Sequence, residues 1–247
     1  MDINIYYKNI LQGTVTYSHP TASTANQRID IDLWSKVRAH IRCYVKYSNG
    51  NFNFCPYATY KARKIVILLE SPHKNEFDQN FNPLVPLNGR SGKKFDNKII
   101  SQLQKWFNGI YISENSIFEI MLLNPVPYQT SLYHFISNKI PYQPLVGASS
   151  TIPVFKIDKK VRDKVWRLLF PLPCCENEMI IFLKNYNPDY IINCCTGKST
   201  KYNTFGSLSK VRKARNITSL KIITRISIFT NNLINNNYLE DAHPVSW

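Results

Sequence analysis

The chain has 247 residues, 44% of them hydrophobic and 19% charged, a composition that excludes a disordered chain and suits one globular α/β domain. Its 31 Lys and Arg against 16 Asp and Glu leave a net charge of +15, a field that draws polyanions, nucleic acid first among them. No apolar run of membrane-spanning length and no signal-peptide pattern occurs, so no membrane partner is expected and the chain is read as soluble and cytoplasmic.

Residues 1–60 are rich in Tyr and Asn and read as an N-terminal extension packed on a core formed by residues 61–247. The extension holds one helical pattern, in which Asp30 or Asp32 caps and Trp34, Val37, Ile41, Tyr44 and Val45 share a face. The run KIVILLE, Lys64 to Glu70, is short, apolar and β-branched, and it ends abruptly in SPHKNEF; it predicts a buried parallel strand feeding a loop. Next comes PLNGRSGKKF, Pro86 to Phe95. A nucleotide P-loop needs GxxxxGK[ST], but Leu87 stands at its first glycine and Lys94 at its hydroxyl, so that reading fails. Ile99, Ile100, Leu103, Trp106 and Phe107 follow at helical spacing, which puts the glycines at a helix N-terminus. They are either a plain turn or a loop whose amides, with Arg90, Lys93 and Lys94, face an anion.

SIFEIMLLN, Ser116 to Asn124, predicts a second strand, ended by PVPYQ. A helix through Met179, Ile180, Leu183 and Tyr186 precedes a third, PDYIINCCTG, Pro188 to Gly197, and LKIITRISIF, Leu220 to Phe229, predicts a last strand before the terminal EDAHPVSW. Strands alternating with helices imply a parallel sheet covered on both faces. Between the last two strands, Lys198, Lys201, Lys210, Arg212, Lys213 and Arg215 occur with no acid among them. The segment reads equally as a solvated face and as a ligand-binding loop after a strand end. The six cysteines are Cys43, Cys55 and the adjacent pairs Cys174–Cys175 and Cys194–Cys195. No C-x-x-C occurs, so buried free thiols are expected and no metal site.

Polar residues stand where the predicted strands end: Glu70 after the first, Asn124 after the second and His243 after the last. The carboxyl ends of parallel strands share one rim, so an acid, an amide and an imidazole are brought toward one place. Taken singly, Glu70 reads as a turn cap before Pro72, Asn124 as a turn residue before Pro125 and His243 as a surface histidine near the terminus. Glu76 and Asp78 are reserve carboxylates.

These strings resemble the uracil-DNA glycosylase superfamily in the form of its family 4. LLESPH is similar to that group's first motif, G-E-A-P-G; PLNGRSGKKFDNKI to P-F-V-G-R-A-G-x-x-L-D; LLNPVPYQ to the Asn-bearing strand end; FLKNYNPDYIINCCTG to its helix-strand step; and AHPVSW to the closing H-P-S motif, in order from about Lys64 to Trp247. The resemblance implies a three-layer α/β/α sandwich around a central four-stranded parallel sheet, and hydrolysis of the bond joining a base to deoxyribose. It assigns catalysis to Glu70, which would orient water and balance an oxocarbenium-like sugar, and to His243, which would donate to the departing base. Asn124, His73, Leu87 and Ser71 would bind the base. Gly89, Arg90, Ser91, Lys93, Lys94 and the basic residues from Lys198 to Arg215 would hold DNA.

The departures from the pattern have their own meaning. Leu69 replaces a glycine of the first motif, Leu87 replaces the aromatic that stacks on uracil, and His73 stands at the tyrosine that bars 5-substituted pyrimidines in family 1. The C-x-x-C that begins family 4's iron-sulfur ligand set is absent, so no cluster and no other cofactor is expected. The reading is therefore a monomeric DNA glycosylase for a modified pyrimidine of phage DNA, in antiviral defence. Uracil repair, a non-catalytic basic nucleic-acid-binding module and a metal-dependent phosphodiesterase are the alternatives.

Overall fold

The structure, a computed structural model, describes residues 2–16, 27–33, 35–57, 61–72, 74–78, 82–128, 130, 154–196 and 237–242. Its centre is the predicted apolar run: β6, Arg63–Leu68, has no exposed residue from Ile65 onward, and each side chain meets a different layer from its neighbour's. Ile65, Ile67 and Leu69 pack under helix α1, Arg90–Trp106, through Phe95, Ile99, Leu103 and Trp106. Val66 and Leu68 pack on the other face against α2, Val154–Leu169, and α3, Glu176–Tyr186. A strand covered on both faces needs apolar residues at every position, which is why KIVILL shows no alternation.

β6 is flanked by parallel neighbours, β7, Ile117–Leu123, on one side and β8, Tyr190–Thr196, on the other; β8 pairs in turn with parallel β9, Tyr238–Ala242. The chain leaves β6 to one side and later returns to the other, so the sheet has a topological switch point at β6, where open α/β sheets form a crevice beyond the strand ends. The fold is mixed α/β, but the expected four-stranded sheet is corrected. Its order is β5-β4-β7-β6-β8-β9, six strands, because an antiparallel hairpin of β4, Ala39–Ser48, and β5, Asn51–Cys55, pairs with the outer edge of β7.

That hairpin also corrects the helix expected near residues 30–45. Spacings such as 41, 44 and 45 suit a helix, yet the edge of β7 offers a row of backbone partners, and Cys43, Val45 and Tyr47 line one face of a strand there at period two. Among the described residues of this stretch the helical part is one 3-10 turn, Ile31–Leu33, and Trp34 lies outside them. The Asp32 carboxylate caps no helix; it accepts the Lys8 amide at 3.2 Å, in the turn of the hairpin formed by β1, Asp2–Tyr7, and β2, Ile10–Thr16. With β3, Gln27–Asp30, these strands make a second sheet whose Ile3, Ile5, Val15 and Ile29 share the α2 and α3 core. The described part of residues 1–60 is thus built of strands rather than a helical layer, and two of its five strands, β4 and β5, extend the central sheet.

Two contacts position the strand ends. Asn187 ends α3 in the left-handed conformation, φ 49°, and turns the chain into Asp189, whose carboxylate accepts the Lys64 amide at 2.7 Å and starts β8 beside β6. Across the sheet the Trp106 indole donates to buried Asp241 at 2.6 Å, tying β9 to α1. The strand predicted at Leu220–Phe229 lies outside the described residues; β9 comes later, in a stretch with acids that the sequence reading left unassigned.

Candidate functional site

Leu68 pairs with Leu123, and the Leu69 amide donates to the Leu123 carbonyl at 2.8 Å, so Glu70 and Asn124 follow neighbouring strands at one rim. Alternation turns Glu70 toward α2, whose residues 162 and 166 stand one helical turn apart on the face it meets. The Arg162 guanidinium Nη2 lies 3.2 Å from Glu70 Oε2, and the Trp166 indole donates to the Glu70 carbonyl at 2.8 Å. Both ends of Glu70 are thereby held while its side chain keeps 21% of its surface. Arg162 Nε is buried without a hydrogen-bond partner. Ser71 Oγ and Thr130 Oγ1 share a hydrogen bond of 2.8 Å just past Glu70, joining the two loops that leave β6 and β7.

Asn124 is fully buried. Its backbone amide donates to Arg38 O at 2.7 Å, and its side-chain Nδ2 donates to Val37 O at 2.9 Å and toward Glu76 Oε2 at 3.4 Å. Both side-chain partners are acceptors, so the nitrogen must face them and the orientation of the amide is determined. Oδ1 is left buried with no partner. Of the reserve carboxylates, Glu76 is buried at 3% exposure beside this amide, whereas Asp78 accepts the Asn82 amide and its Nδ2, each at 2.8 Å, and closes its own loop.

The glycine stretch is a helix N-terminus, as its spacing predicts. Gly89 precedes α1 at φ 111°, and the Lys93 amide donates to Gly89 O at 3.0 Å. Glycine is required at 92, because a Cβ there would lie 1.7 Å from the Leu87 carbonyl oxygen. Leu87 has φ 57° and is buried in the cluster with Leu69 and Phe95, so it acts as a core residue under the helix start. Ser91 and Lys94 are half-buried and Lys93 exposed; Arg90 opens the helix. Arg42 reaches the same helix start from β4 and pairs with Asp96 through Nε at 2.8 Å and Nη2 at 2.5 Å.

Glu70, Ser71 and Asn124 are therefore brought to one rim. His73, Lys198, Lys201, Lys210, Arg212, Lys213, Arg215 and His243 lie outside the described residues; in the sequence His243 directly follows Ala242, the last residue of β9. Sequence reasoning missed Arg162 and Trp166. The spacing of Val161, Val165, Trp166 and Leu169 marks their helix, but no local pattern tells which of its cations meets Glu70. Among the described residues no three His, Cys, Asp or Glu side chains group as metal ligands, and no helix is long and apolar enough to cross a membrane. Comparison with known proteins finds no matching family model, no matching curated protein and no matching solved structure.

Proposed function

We propose that the protein is a DNA glycosylase that everts a nucleotide, hydrolyses its N-glycosidic bond and leaves an abasic site. It acts as a monomer in the cytoplasm, and its substrate is a modified pyrimidine, such as a 5-substituted or glucosylated hydroxymethylcytosine of phage DNA, in antiviral defence. Its core is the four parallel strands β7-β6-β8-β9 with helices on both faces. The observation that carries the reading is the common rim: Glu70 and Asn124 follow β6 and β7, and parallel β9 ends one residue before His243.

The chemistry follows from what the held groups offer. Cleavage builds positive charge on the sugar and negative charge on the base; a carboxylate held by Arg162, on a residue whose backbone carbonyl Trp166 anchors, is a preorganised anion for the first, and an imidazole donor suits the second. Asn124 bears on how a base is recognised. Its donors are engaged by Val37 and Glu76, which leaves Oδ1 to accept a hydrogen bond from whatever enters. A cytosine-type edge offers its amino donor there and a thymine- or uracil-type edge its N3–H, so this acceptor suits a pyrimidine edge of either kind. The positive charge of +15 suits the phosphate grip that base eversion requires.

Mass spectrometry of free bases tests the proposal with DNA carrying uracil, unmodified bases or glucosylated hydroxymethylcytosine. Release of the modified cytosine by the wild type, lost in Glu70→Gln, is expected. Release of uracil alone assigns the protein to repair. Retention of DNA with no base released from any substrate overturns the enzyme reading in favour of a binding module.

A further inference from the structure

At the far end of the segment that holds Asn124, Cys174 and Cys175 precede α3 with their sulfurs 3.9 Å apart, and Cys175 is the helix N-cap. The Cys174 sulfur lies among donors: the Cys175 sulfur is 3.9 Å away, and the Tyr7 and Tyr128 hydroxyls and the Lys36 ammonium are near. Lys36 Nζ also lies 5.7 Å from the centre of the Tyr128 ring. Arg38 binds the carbonyl oxygens of both cysteines, Nη2 to Cys174 at 2.5 Å and Nη1 to Cys175 at 3.4 Å. Of the two acids in the first turn of α3, Glu176 and Glu178, the second is held by Arg38 at 3.0 Å and Lys36 at 3.2 Å. Hydroxyl donors, two cations and a helix N-terminus together stabilise a thiolate.

We propose that Cys174 and Cys175 form a peroxide-reactive dithiol, with Cys174 the nucleophile and Cys175 the resolving thiol. The Cys174 thiolate attacks one oxygen of a hydroperoxide, the O–O bond breaks and, with one proton taken up, water or an alcohol leaves; the sulfur is oxidised to sulfenic acid and the peroxide is reduced. The Cys175 sulfur then attacks the Cys174 sulfur, and its thiol proton leaves with the sulfenic hydroxyl as a second water, closing a disulfide. Adjacent Cα atoms are about 3.8 Å apart, shorter than the usual span of a disulfide, so the closed pair is strained and easily reduced again.

The environment separates this thiol from the others. Its donors hold Cys174 down at about 6, led by the Cys175 thiol, whereas burial pushes Cys43, Cys55, Cys175 and Cys194 up. Cys174 keeps only 4% of its surface and lies under half-buried Tyr7, so a water-sized oxidant suits the site and a bulky one does not.

Purified reduced protein is treated with hydrogen peroxide, then unfolded, alkylated and analysed by peptide mass spectrometry. The peptide holding Cys174 and Cys175 is expected to lose two hydrogens at least tenfold faster than any other cysteine is oxidised, reversibly with dithiothreitol. In Cys175→Ser the same peptide gains oxygen instead. The rate should level off near neutral pH, with Tyr7, Tyr128, Lys36, Arg38, Glu178 and Cys175 facing the sulfur, and Tyr128→Phe should slow it roughly tenfold near pH 6. Oxidation of exposed-side Cys55 ahead of this pair, or a rate that climbs unbroken through about pH 9, overturns the proposal.

Discussion

Arg162 and Glu70 form an ion pair of 3.2 Å across 92 residues of sequence, so the acid at the end of β6 is held by a cation from α2. The side chains keep 34% and 21% of their surface, and a pair so exposed contributes little to stability. Arg162→Met is expected to shift unfolding by less than about 1 kcal/mol. It should nonetheless slow single-turnover base release by about tenfold or more, while Glu70→Gln slows it by about a hundredfold or more. Thermal melts beside the kinetics separate the two effects; equal losses in Arg162→Met and in a surface control would sink the clamp.

Asn124 has a structural role that precedes any role toward a base. Removing its amide strips the buried Val37 carbonyl of its donor and leaves a small cavity, so Asn124→Ala should cost about 2–3 kcal/mol in urea unfolding. Asn124→Asp brings a second carboxyl against Glu76, and repulsion raises its folded-state pKa above the unfolded value. The penalty of that variant is therefore small in acid and grows as pH rises through the ordinary carboxylate range. A penalty that stays constant from pH 4 to about pH 7 counts against this geometry.

One glycine tests the helix start and another serves as its control. A methyl at 92 meets a backbone carbonyl at 1.7 Å, which cannot swing aside, so Gly92→Ala should destabilise by several kcal/mol. Gly50, between β4 and β5, has positive φ, 77°, but nothing lies within 4 Å, so Gly50→Ala should cost only about 1 kcal/mol of backbone strain. Denaturant midpoints of the two variants give the comparison directly.

Trp106→Phe removes the indole donor to Asp241 at the heart of the α1–β9 contact. A loss of about 2 kcal/mol is expected, with hydrogen exchange accelerated in β9 more than in β6. Uniform acceleration across the sheet would show that this bond does not hold β9 in particular.

The cysteine cluster makes stability depend on pH. The folded pKa of Cys174 is depressed from 9.0 to about 6, chiefly by the Cys175 thiol, so its contribution is complete above the unfolded value and is lost as pH falls from 9.0 toward 6. Tyr7 behaves oppositely: burial raises it from 10.0 to about 12, so its contribution is lost as pH rises through that interval. The stability gap between wild type and Cys174→Ser should widen from about pH 6 to pH 9, measured by urea unfolding under reducing conditions.

What could be read in advance depended on how strongly local pattern committed each segment. Ile65 to Leu69 and Ile120 to Leu123 are apolar at every position because two layers cover them, and no exposed structure accommodates such runs; β6, β7 and β8 were legible for that reason, α1 and α3 from their helical spacing, and with them the strand ends at Glu70 and Asn124. Ala39–Ser48 was misread because its apolar residues satisfy two periods at once, and only the open edge of β7 selects the strand. β9 was missed because YLEDA carries two acids, and Asp241 sits inside with Trp106 donating to it from far along the chain.

The amino-acid sequence alone determined a basic α/β chain with buried parallel strands, and where an acid and an amide follow them, since burial on both faces and turn residues are properties of contiguous segments. Only the tertiary structure decided that Arg162 clamps Glu70, that Val37 and Glu76 take the donors of Asn124, and that two tyrosines and two cations gather at Cys174. Those are pairings across long separations, set by how layers stack, and electrostatic environment depends on distance in space.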